Sequence, residues 1–414
     1  MQIEEFALAT WLNQYETDVE FNLAASTGPL WTVAELLALE GRTAGELSAT
    51  PLNYVHAAGT AELRSAIAAF YGNVDPEWVQ VTTGSAEALW MLLFHECQPG
   101  ANIIVPRPCY PAFDGIPRAL GAEVRYWHFR PENAFRPDLD ELKRLIDRGT
   151  RAIVINSPHN PTGVVLEPEQ VRAIAELAAA RGVRVISDEV YHGVYYDGTE
   201  RASAAGLPSV VVTGDISKAF SLAGLRIGWV VERDPARRHA LYNLRSYICV
   251  SGNVLAERLG ALALRQHRTI LGRNRAQAAA NLELLAHLFD EHAGRIGWVR
   301  PRGGFTCFPW LRDEADAGPL CRALVEQAGV LFAPGATFGM PAHFRVGFGV
   351  AGARFPQALE RVRAFLAARR PASAGSPPHR GSPGADRGPE NPPSPDSDQS
   401  ALRTPHSAIR GGAQ

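Results

Sequence analysis

The chain has 414 residues, 46% of them hydrophobic and 20% charged, with a formal net charge of −2, which describes a globular protein with ample apolar material for a core. Lysine and arginine are spread along the chain, and no apolar run reaches the roughly 18 residues of a membrane span, so neither nucleic acid nor a membrane is an expected partner. The five cysteines are scattered and odd in number, which argues against a disulfide framework or a metal site and favours a reducing cytoplasm.

Short runs of β-branched residues alternate with helical stretches through the first part of the chain. This alternation predicts a largely parallel sheet with crossover helices, such as the helix expected at 169–180. The run at 152–155 is apolar on both faces, as expected of a strand that is buried beneath helices on either side. The predicted strands are 79–82, 102–105, 152–156, 183–187, 210–213 and 227–231.

In the later part of the chain, the predicted secondary structure changes near residue 267 and the composition changes near residue 371. A helix-rich stretch from about 267 to 293 precedes strand-like runs at 305–311 and 344–348, which indicates a smaller α+β unit, and the last helical pattern is 355–369. From Pro371 the composition shifts to Pro, Gly, Ser, Asp and Arg, which predicts a disordered tail. The expected organisation is an N-terminal arm that contributes to the small domain (1–45), a large cofactor-binding domain (46–266), a small C-terminal domain (267–370) and the tail (371–414).

Reactive side chains follow three successive predicted strands. Ligands of open α/β sheets bind beyond the carboxyl ends of the strands, so side chains in these loops are the candidates for chemistry. Asn160 follows the strand at 152–156, Asp188 and Tyr191 follow the strand at 183–187, and Ser217, Lys218 and Arg226 follow the strand at 210–213.

These residue types match the needs of pyridoxal 5'-phosphate (PLP). That cofactor requires a lysine amine for a Schiff base, an acid that keeps the pyridine nitrogen protonated, donors to the phenolate oxygen and a phosphate cradle. Lys218 is the candidate for the Schiff base and for moving the α-proton of a substrate. Asp188 is the candidate pyridinium partner, and Asn160 and Tyr191 are candidate donors to the phenolate oxygen.

The phosphate cradle has candidates in two places. Arg226 would neutralise the phosphate, with the Ser217 hydroxyl beside it. The backbone N–H groups of Gly84, Ser85 and Ala86 begin a predicted helix, and helix N-termini bind phosphate oxygens.

Further candidates concern the pyridine ring and the substrate. Tyr110 could stack on the ring face. Arg345 could bind a substrate α-carboxylate bidentately, a geometry that lysine cannot match, and Asn160 is expected beside it. A free amino acid is therefore the expected substrate class.

The segments SPHNPTG at 157–163, SDEVY at 187–191 and ISKAFSLAGLRIGW at 216–229, in this order, resemble the class I/II aminotransferase family, over roughly residues 20 to 369. The resemblance implies fold type I of the PLP-dependent transferases, with a mostly parallel seven-stranded sheet, helices on both faces and a smaller α+β domain. It implies amino-acid aminotransferase activity. Tyr54 resembles a family tyrosine that reaches the neighbouring subunit's phosphate, which implies a homodimer with shared active sites.

A narrower resemblance is to the capreomycidine synthase branch, through 22–28 with Trp31, 303–309, 319–321 and 344–349. It implies Gly28 as a substrate-binding residue. It also keeps open a second activity, dehydration and cyclisation of a 3-hydroxyarginine-like substrate, for which acidic residues near the site would hold the guanidinium. The candidate carboxylates are Asp18, Glu20 and those of 197–200.

One position departs from the family pattern. Three residues before Lys218, where the family has Ser or Thr to bond the phosphate, this chain has Asp215. A carboxylate there repels a phosphate dianion, so either Asp215 turns away and Ser217 bonds the phosphate, or the cradle is misassigned at that point. A third hypothesis, a PLP-binding regulator that acts through a partner, lacks the basic face that nucleic acid requires.

Overall fold

The computed structural model describes residues 2–349 and 352–369, and the predicted tail lies outside the described residues. The helices within this part are α1 Ala7–Tyr15, α2 Val33–Ala38, α3 Ala61–Tyr71, α4 Gly84–Glu96, α5 Ala112–Ala119, α6 Leu139–Leu145, α7 Pro168–Ala179, α8 Pro235–Ile248, α9 Val254–Arg265, α10 His267–Glu291, α11 Gly318–Ala328 and α12 Phe355–Ala368. The strands are β1 Phe21–Asn22, β2 Val79–Thr82, β3 Asn102–Arg107, β4 Glu123–His128, β5 Thr150–Asn156, β6 Arg184–Asp188, β7 Val210–Asp215, β8 Gly228–Val231, β9 Ile296–Gly297, β10 Thr306–Cys307, β11 Trp310–Leu311, β12 Val330–Leu331, β13 Ala333–Pro334 and β14 Phe344–Gly347.

A seven-stranded sheet in the order β2-β8-β7-β6-β5-β3-β4 forms the centre of the structure. Its neighbours pair in parallel except where β8 pairs antiparallel with β2 and with β7. The predicted seven-stranded, mostly parallel sheet is therefore confirmed. The strand β4 was not predicted. Among the described residues it pairs with β3 alone, as an edge strand, and its sequence EVRYWH carries polar side chains that remain partly exposed.

The sheet is buried on both faces, because alternate side chains of its strands enter two separate apolar clusters. Ile153 and Ile155 of β5 belong to one cluster, whereas Ala152 and Val154 of the same strand belong to the other. Successive side chains of a strand point to opposite faces, so each face must be covered by its own layer of helices. This arrangement explains the continuous apolar run in the sequence.

Three smaller sheets lie outside the large one. They pair β1 with β12, β9 with β11, and β10 and β13 with β14. The pairing of β1 with β12 joins the N-terminal segment to a strand more than 300 residues later in the chain. The described residues up to Arg369 form one compact unit, and the division at residues 45 and 266 stays a prediction. Within the described residues, no helix combines the length and the apolar character needed to cross a bilayer.

Candidate active site

A cavity of about 210 Å³ opens beyond the carboxyl ends of the parallel strands. The strands β5 and β6 end side by side, with Asn156 in register with Asp188. Asn156 connects the two loops, because its side chain donates to the Asp188 carbonyl at 3.0 Å and accepts from the Asn160 N–H at 2.7 Å. Eight predicted site residues line the cavity: Ser85, Ala86, Tyr110, Asn160, Asp188, Tyr191, Lys218 and Arg345.

Lys218 presents its amine to this cavity. The chain contains only two lysines, and the other, Lys143, is exposed on α6 and paired with Asp140 at 2.8 Å. The Lys218 Nζ lies 3.1 Å from the Ser26 hydroxyl. Burial lowers the pKa of Lys218, an effect that the Asp215 carboxylate partly opposes. A lowered pKa favours the neutral amine, which is the nucleophilic and basic form.

Asp188 ends β6 with only 4% of its surface exposed. Its carboxylate accepts a hydrogen bond from the Val190 N–H at 3.1 Å. Burial raises the pKa of Asp188 to about 7, and the charges of Asp215 and Glu189 act in the same direction. Among the described residues no Arg, Lys or His forms an ion pair with Asp188. A buried carboxyl group of this kind is suited to a cation from a ligand, such as a protonated pyridine nitrogen.

Arg345 on β14 is also buried, with 2% exposure. It donates to the Asn160 side-chain oxygen at 3.1 Å and to the Ala24 carbonyl at 2.6 Å, and it lies over the Phe338 ring. Its Nε has no hydrogen-bond partner within the described part of the chain. Burial lowers the pKa of Arg345 to about 10, so the guanidinium is still charged at neutral pH. A buried cation without a carboxylate partner is suited to an anion such as an α-carboxylate.

Two tyrosines line the same cavity. The Tyr191 hydroxyl donates to the Ser26 carbonyl at 3.0 Å, and Tyr110 packs edge-on against Phe6 and Phe113. Burial raises the pKa of both tyrosines, so their hydroxyl groups stay protonated and can donate. Ser26 thus contacts Lys218 as well as Tyr191, although the sequence did not predict it as a site residue.

The N-terminus of α4 meets the guanidinium of Arg226. Gly84 has a φ of 76°, and a Cβ at this position would lie 2.4 Å from the Arg226 Nη2. A Cβ on Gly228 would lie 2.6 Å from the Ser85 nitrogen. These two glycines therefore allow the helix start, β8 and Arg226 to come together. The Arg226 Nη1 donates to the Ser217 hydroxyl at 3.3 Å, and the combination of helix N-terminus, guanidinium and hydroxyl suits a phosphate.

Asp215 lies at the end of β7 beside this cradle. Its carboxylate accepts from the Ser85 hydroxyl at 3.0 Å and from the backbone N–H groups of Ser217 and Lys218 at 3.0 and 3.2 Å. The carboxylate therefore binds the turn that carries Lys218. Within the described residues, no arginine forms an ion pair with it.

Five predicted residues do not line the cavity: Gly84, Ser217 and Arg226 form the cradle beside it, and Tyr54 and Gly28 belong to neither. Tyr54 is 81% exposed and lines a second, more open cavity of about 1190 Å³ together with Arg226. A Cβ on Gly28 would contact the Ser221 hydroxyl at 2.7 Å and the Phe305 ring at 3.1 Å, so Gly28 packs against these side chains. The segment before α2, which contains Gly28, contacts Lys218, Tyr191 and Arg345 through Ala24 and Ser26 instead.

The cavity and the adjoining cradle fit PLP. They combine a single buried lysine, a carboxyl group with a raised pKa, an arginine with an unpaired N–H, and a helix N-terminus that tolerates no Cβ at Gly84.

Comparisons with known proteins identify the family of the chain. The family model for aminotransferase class I and II matches residues 32–362. Capreomycidine synthase of Streptomyces vinaceus is 32% identical over 345 residues, which cover 82% of this chain and 88% of that protein. The valine–pyruvate aminotransferase of Mycobacterium tuberculosis is 33% identical over 347 residues, which cover 78% and 86%.

Two solved structures are similar over 89% of this chain and 98% of their own. A PLP-dependent aminotransferase from Streptococcus suis has a TM-score of 0.84 at 30% identity. The PLP-dependent cyclase OrfR has a TM-score of 0.82 at 30% identity. The chain belongs to the aminotransferase class I and II family, and it is a PLP-dependent enzyme of that fold.

Proposed function

We propose that the chain transfers the amino group of a free L-amino acid to a 2-oxoacid. The observation that carries this proposal is the placement of Lys218, Asp188 and Arg345 around one cavity. When bound, PLP supplies an electron-withdrawing ring that stabilises negative charge at the substrate Cα.

The residues that would hold the cofactor surround it from several sides. Lys218 would carry it covalently, and the Asp188 carboxylate would pair with the protonated pyridine nitrogen. Tyr191 would donate a hydrogen bond to the phenolate oxygen in place of its present bond to the Ser26 carbonyl. Arg226 and the start of α4 would bind the phosphate, because both present N–H groups to the same point.

The residues that act on the substrate are Arg345, Asn160 and Lys218. Arg345 would bind the α-carboxylate, and Asn160 orients the guanidinium through the 3.1 Å hydrogen bond. A carboxylate held there fixes the amino acid within the cavity that contains the Lys218 amine. Because burial lowers its pKa, that amine is available to accept the proton from Cα and then to donate it to a different atom.

A second candidate is β-elimination followed by cyclisation. The similarities to capreomycidine synthase and to the cyclase OrfR favour it. Binding of the carboxylate and removal of the Cα proton are the same in both reactions. They differ in the next step, because elimination expels a substituent from the β-carbon whereas transamination returns the proton.

A homodimer with shared sites is part of the proposal. Leu52 and Tyr54, each 81% exposed, line the open cavity that Arg226 also lines. Exposed apolar patches of this kind are typical of interaction surfaces. Tyr54 of one copy would reach the phosphate of the other. The five cysteines are free, which is compatible with the proposed cytoplasmic location.

Steady-state kinetics test the proposed activity. The purified protein is supplied with a panel of amino acids and with pyruvate or 2-oxoglutarate, and both the new amino acid and the new 2-oxoacid are measured. Equal amounts of the two products support transamination. Lys218→Ala should abolish them, whereas Lys143→Ala, at the exposed lysine, should leave them unchanged. Continued product formation beyond one equivalent per active site without any 2-oxoacid acceptor would refute the proposal.

A further inference from the structure

The N-terminal helix α1 forms part of the wall of the cavity that contains Lys218. Leu8, Ala9 and Leu12 of this helix line the cavity, together with Phe6 just before it. Leu12 lies four residues after Leu8 and three after Ala9, and residues at these spacings are neighbours on a helix surface, so α1 presents one apolar face to the cavity.

This helix is attached just before its first residue and again at its middle. Before α1, Glu4 pairs with Arg118 of α5 at 2.8 Å, and Phe6 packs edge-on against Tyr110. Within α1, Trp11 donates from its indole nitrogen to the Phe332 carbonyl at 2.8 Å. The apolar face is therefore a positioned part of the cavity wall.

Among the described residues, the cavity offers no carboxylate that is left for a cationic substrate side chain. Asp188 is the only carboxylate that lines it within this part of the chain, and in the proposed function Asp188 pairs with the cofactor. The carboxylates considered for a guanidinium lie elsewhere. Glu20 pairs with Arg354 at 3.4 Å, and Asp197 pairs with Arg201 at 2.6 Å. Neither Asp18, Glu20 nor the residues 197–200 line the cavity.

We propose that the apolar surface formed by Phe6 and by Ala9 and Leu12 of α1 binds the side chain of the donor amino acid, so that the substrates are amino acids with apolar side chains. The inference rests on the proposed function and names its substrate class. A guanidinium or carboxylate placed against this face would lose its water without gaining a partner. An aliphatic or aromatic side chain would bury its own surface against Phe6 and Leu12.

A substrate series tests the preference. The specificity constant kcat/KM should rise from alanine through 2-aminobutyrate and norvaline to leucine, by about fourfold for each added methylene group. Binding is measured separately with 2-methylleucine and 2-methylarginine, which lack the α-proton and are not turned over, by titrating the absorbance of the bound cofactor. We expect 2-methylleucine to bind at least about tenfold more tightly.

Two matched variants locate the effect on α1. Leu12→Asp places a carboxylate in the cavity wall, and Asn13→Asp places the same group on an exposed position of the helix. Leu12→Asp should weaken binding of 2-methylleucine by about tenfold or more and should strengthen binding of 2-methylarginine. Asn13→Asp should change neither.

Three outcomes separate the inference from the proposed function. If the unaltered protein binds 2-methylarginine more tightly than 2-methylleucine, the proposed preference for apolar side chains is wrong, whichever reaction follows. An unchanged affinity for 2-methylleucine in Leu12→Asp would overturn the role of α1. If 2-methylleucine binds as expected but leucine yields no 2-oxoacid, the apolar pocket stands and the proposed transamination fails.

Discussion

The Ser85 hydroxyl donates a 3.0 Å hydrogen bond to the Asp215 carboxylate. Ser85 belongs to the helix start that is suited to the cofactor phosphate, so this pair places a negative charge beside the phosphate cradle. The same carboxylate also accepts from the backbone N–H groups of Ser217 and Lys218. Asp215 therefore stabilises the turn that carries the lysine, while its charge would oppose binding of a phosphate at the start of α4.

Asp215→Asn should separate these two effects. The asparagine oxygen can still accept from the two backbone N–H groups, but the negative charge is removed. We expect the dissociation constant of PLP to fall by about fivefold or more, because even a well-screened charge near a dianion contributes about 1 kcal/mol. Equilibrium dialysis of PLP against the apoprotein measures this dissociation constant, and Asp313→Asn, at an exposed position, is the control. Weaker cofactor binding would mean that Asp215 assists the phosphate site.

The small number of lysines permits an unambiguous assignment of the attachment site. Borohydride reduction of the holoenzyme fixes the cofactor to the lysine that carries it, and peptide mass mapping then identifies that lysine. We expect the added mass on the peptide with Lys218 and none on the peptide with Lys143, because the latter is exposed and paired with Asp140. Labelling of Lys143 alone would contradict the assignment of the cavity.

Arg345→Lys should weaken binding of the α-carboxylate. Lysine keeps the charge but cannot donate two parallel hydrogen bonds or reach both Asn160 and the Ala24 carbonyl. We expect KM to rise by at least about tenfold, or about 1.4 kcal/mol, for the amino acid and for the 2-oxoacid, since both carry this carboxylate. Arg172→Lys, on the exposed surface of α7, is the control. An increase in KM for only one substrate would show that the other binds its carboxylate elsewhere.

Asp188 should make the stability of the apoprotein depend on pH. Its pKa is about 7 in the folded chain and ordinarily about 4 when unfolded. Between these values the folded state binds more protons than the unfolded state, so the free energy of unfolding falls as pH rises from about 4 to about 7, by at most about 1.4 kcal/mol per pH unit.

Denaturant unfolding of the apoprotein at several pH values measures this slope. Asp188→Asn should reduce it but not abolish it, because burial also raises the pKa of the neighbouring Glu189 to about 7. PLP should reduce the slope in the unaltered protein by pairing with the Asp188 carboxylate. An identical slope in Asp188→Asn would contradict the raised pKa.

The sequence predicted the parallel strands and the residues at their ends, because buried strands appear as apolar runs and the loops that follow them are short. Asn160, Asp188 and Lys218 could be located in this way. Ser26 and Ala24 could not, since the segment before α2 has no periodic pattern and its place depends on pairing between β1 and β12. Its contacts with Lys218, Tyr191 and Arg345 join residues 165 to 321 positions apart.

The position of Asp215 shows the limit of motif comparison. The sequence indicated a conflict between its carboxylate and the phosphate, but it did not reveal the acceptor role toward Ser217 and Lys218. Such a turn depends on side-chain direction at the end of β7, which strand patterning does not specify. The apolar face of α1 was missed for a related reason, because the contact of this helix with the site is made through tertiary packing alone.

A single-turnover experiment distinguishes transamination from elimination at the site that contains Lys218. The holoenzyme is mixed with an excess of one amino acid and no 2-oxoacid, and the products are quantified by mass spectrometry. Transamination predicts that one equivalent of the matching 2-oxoacid is released per active site and that the reaction then stops until an acceptor is added. Continued turnover without an acceptor, with loss of a β-substituent and a cyclic product, would contradict transamination and support the elimination reaction.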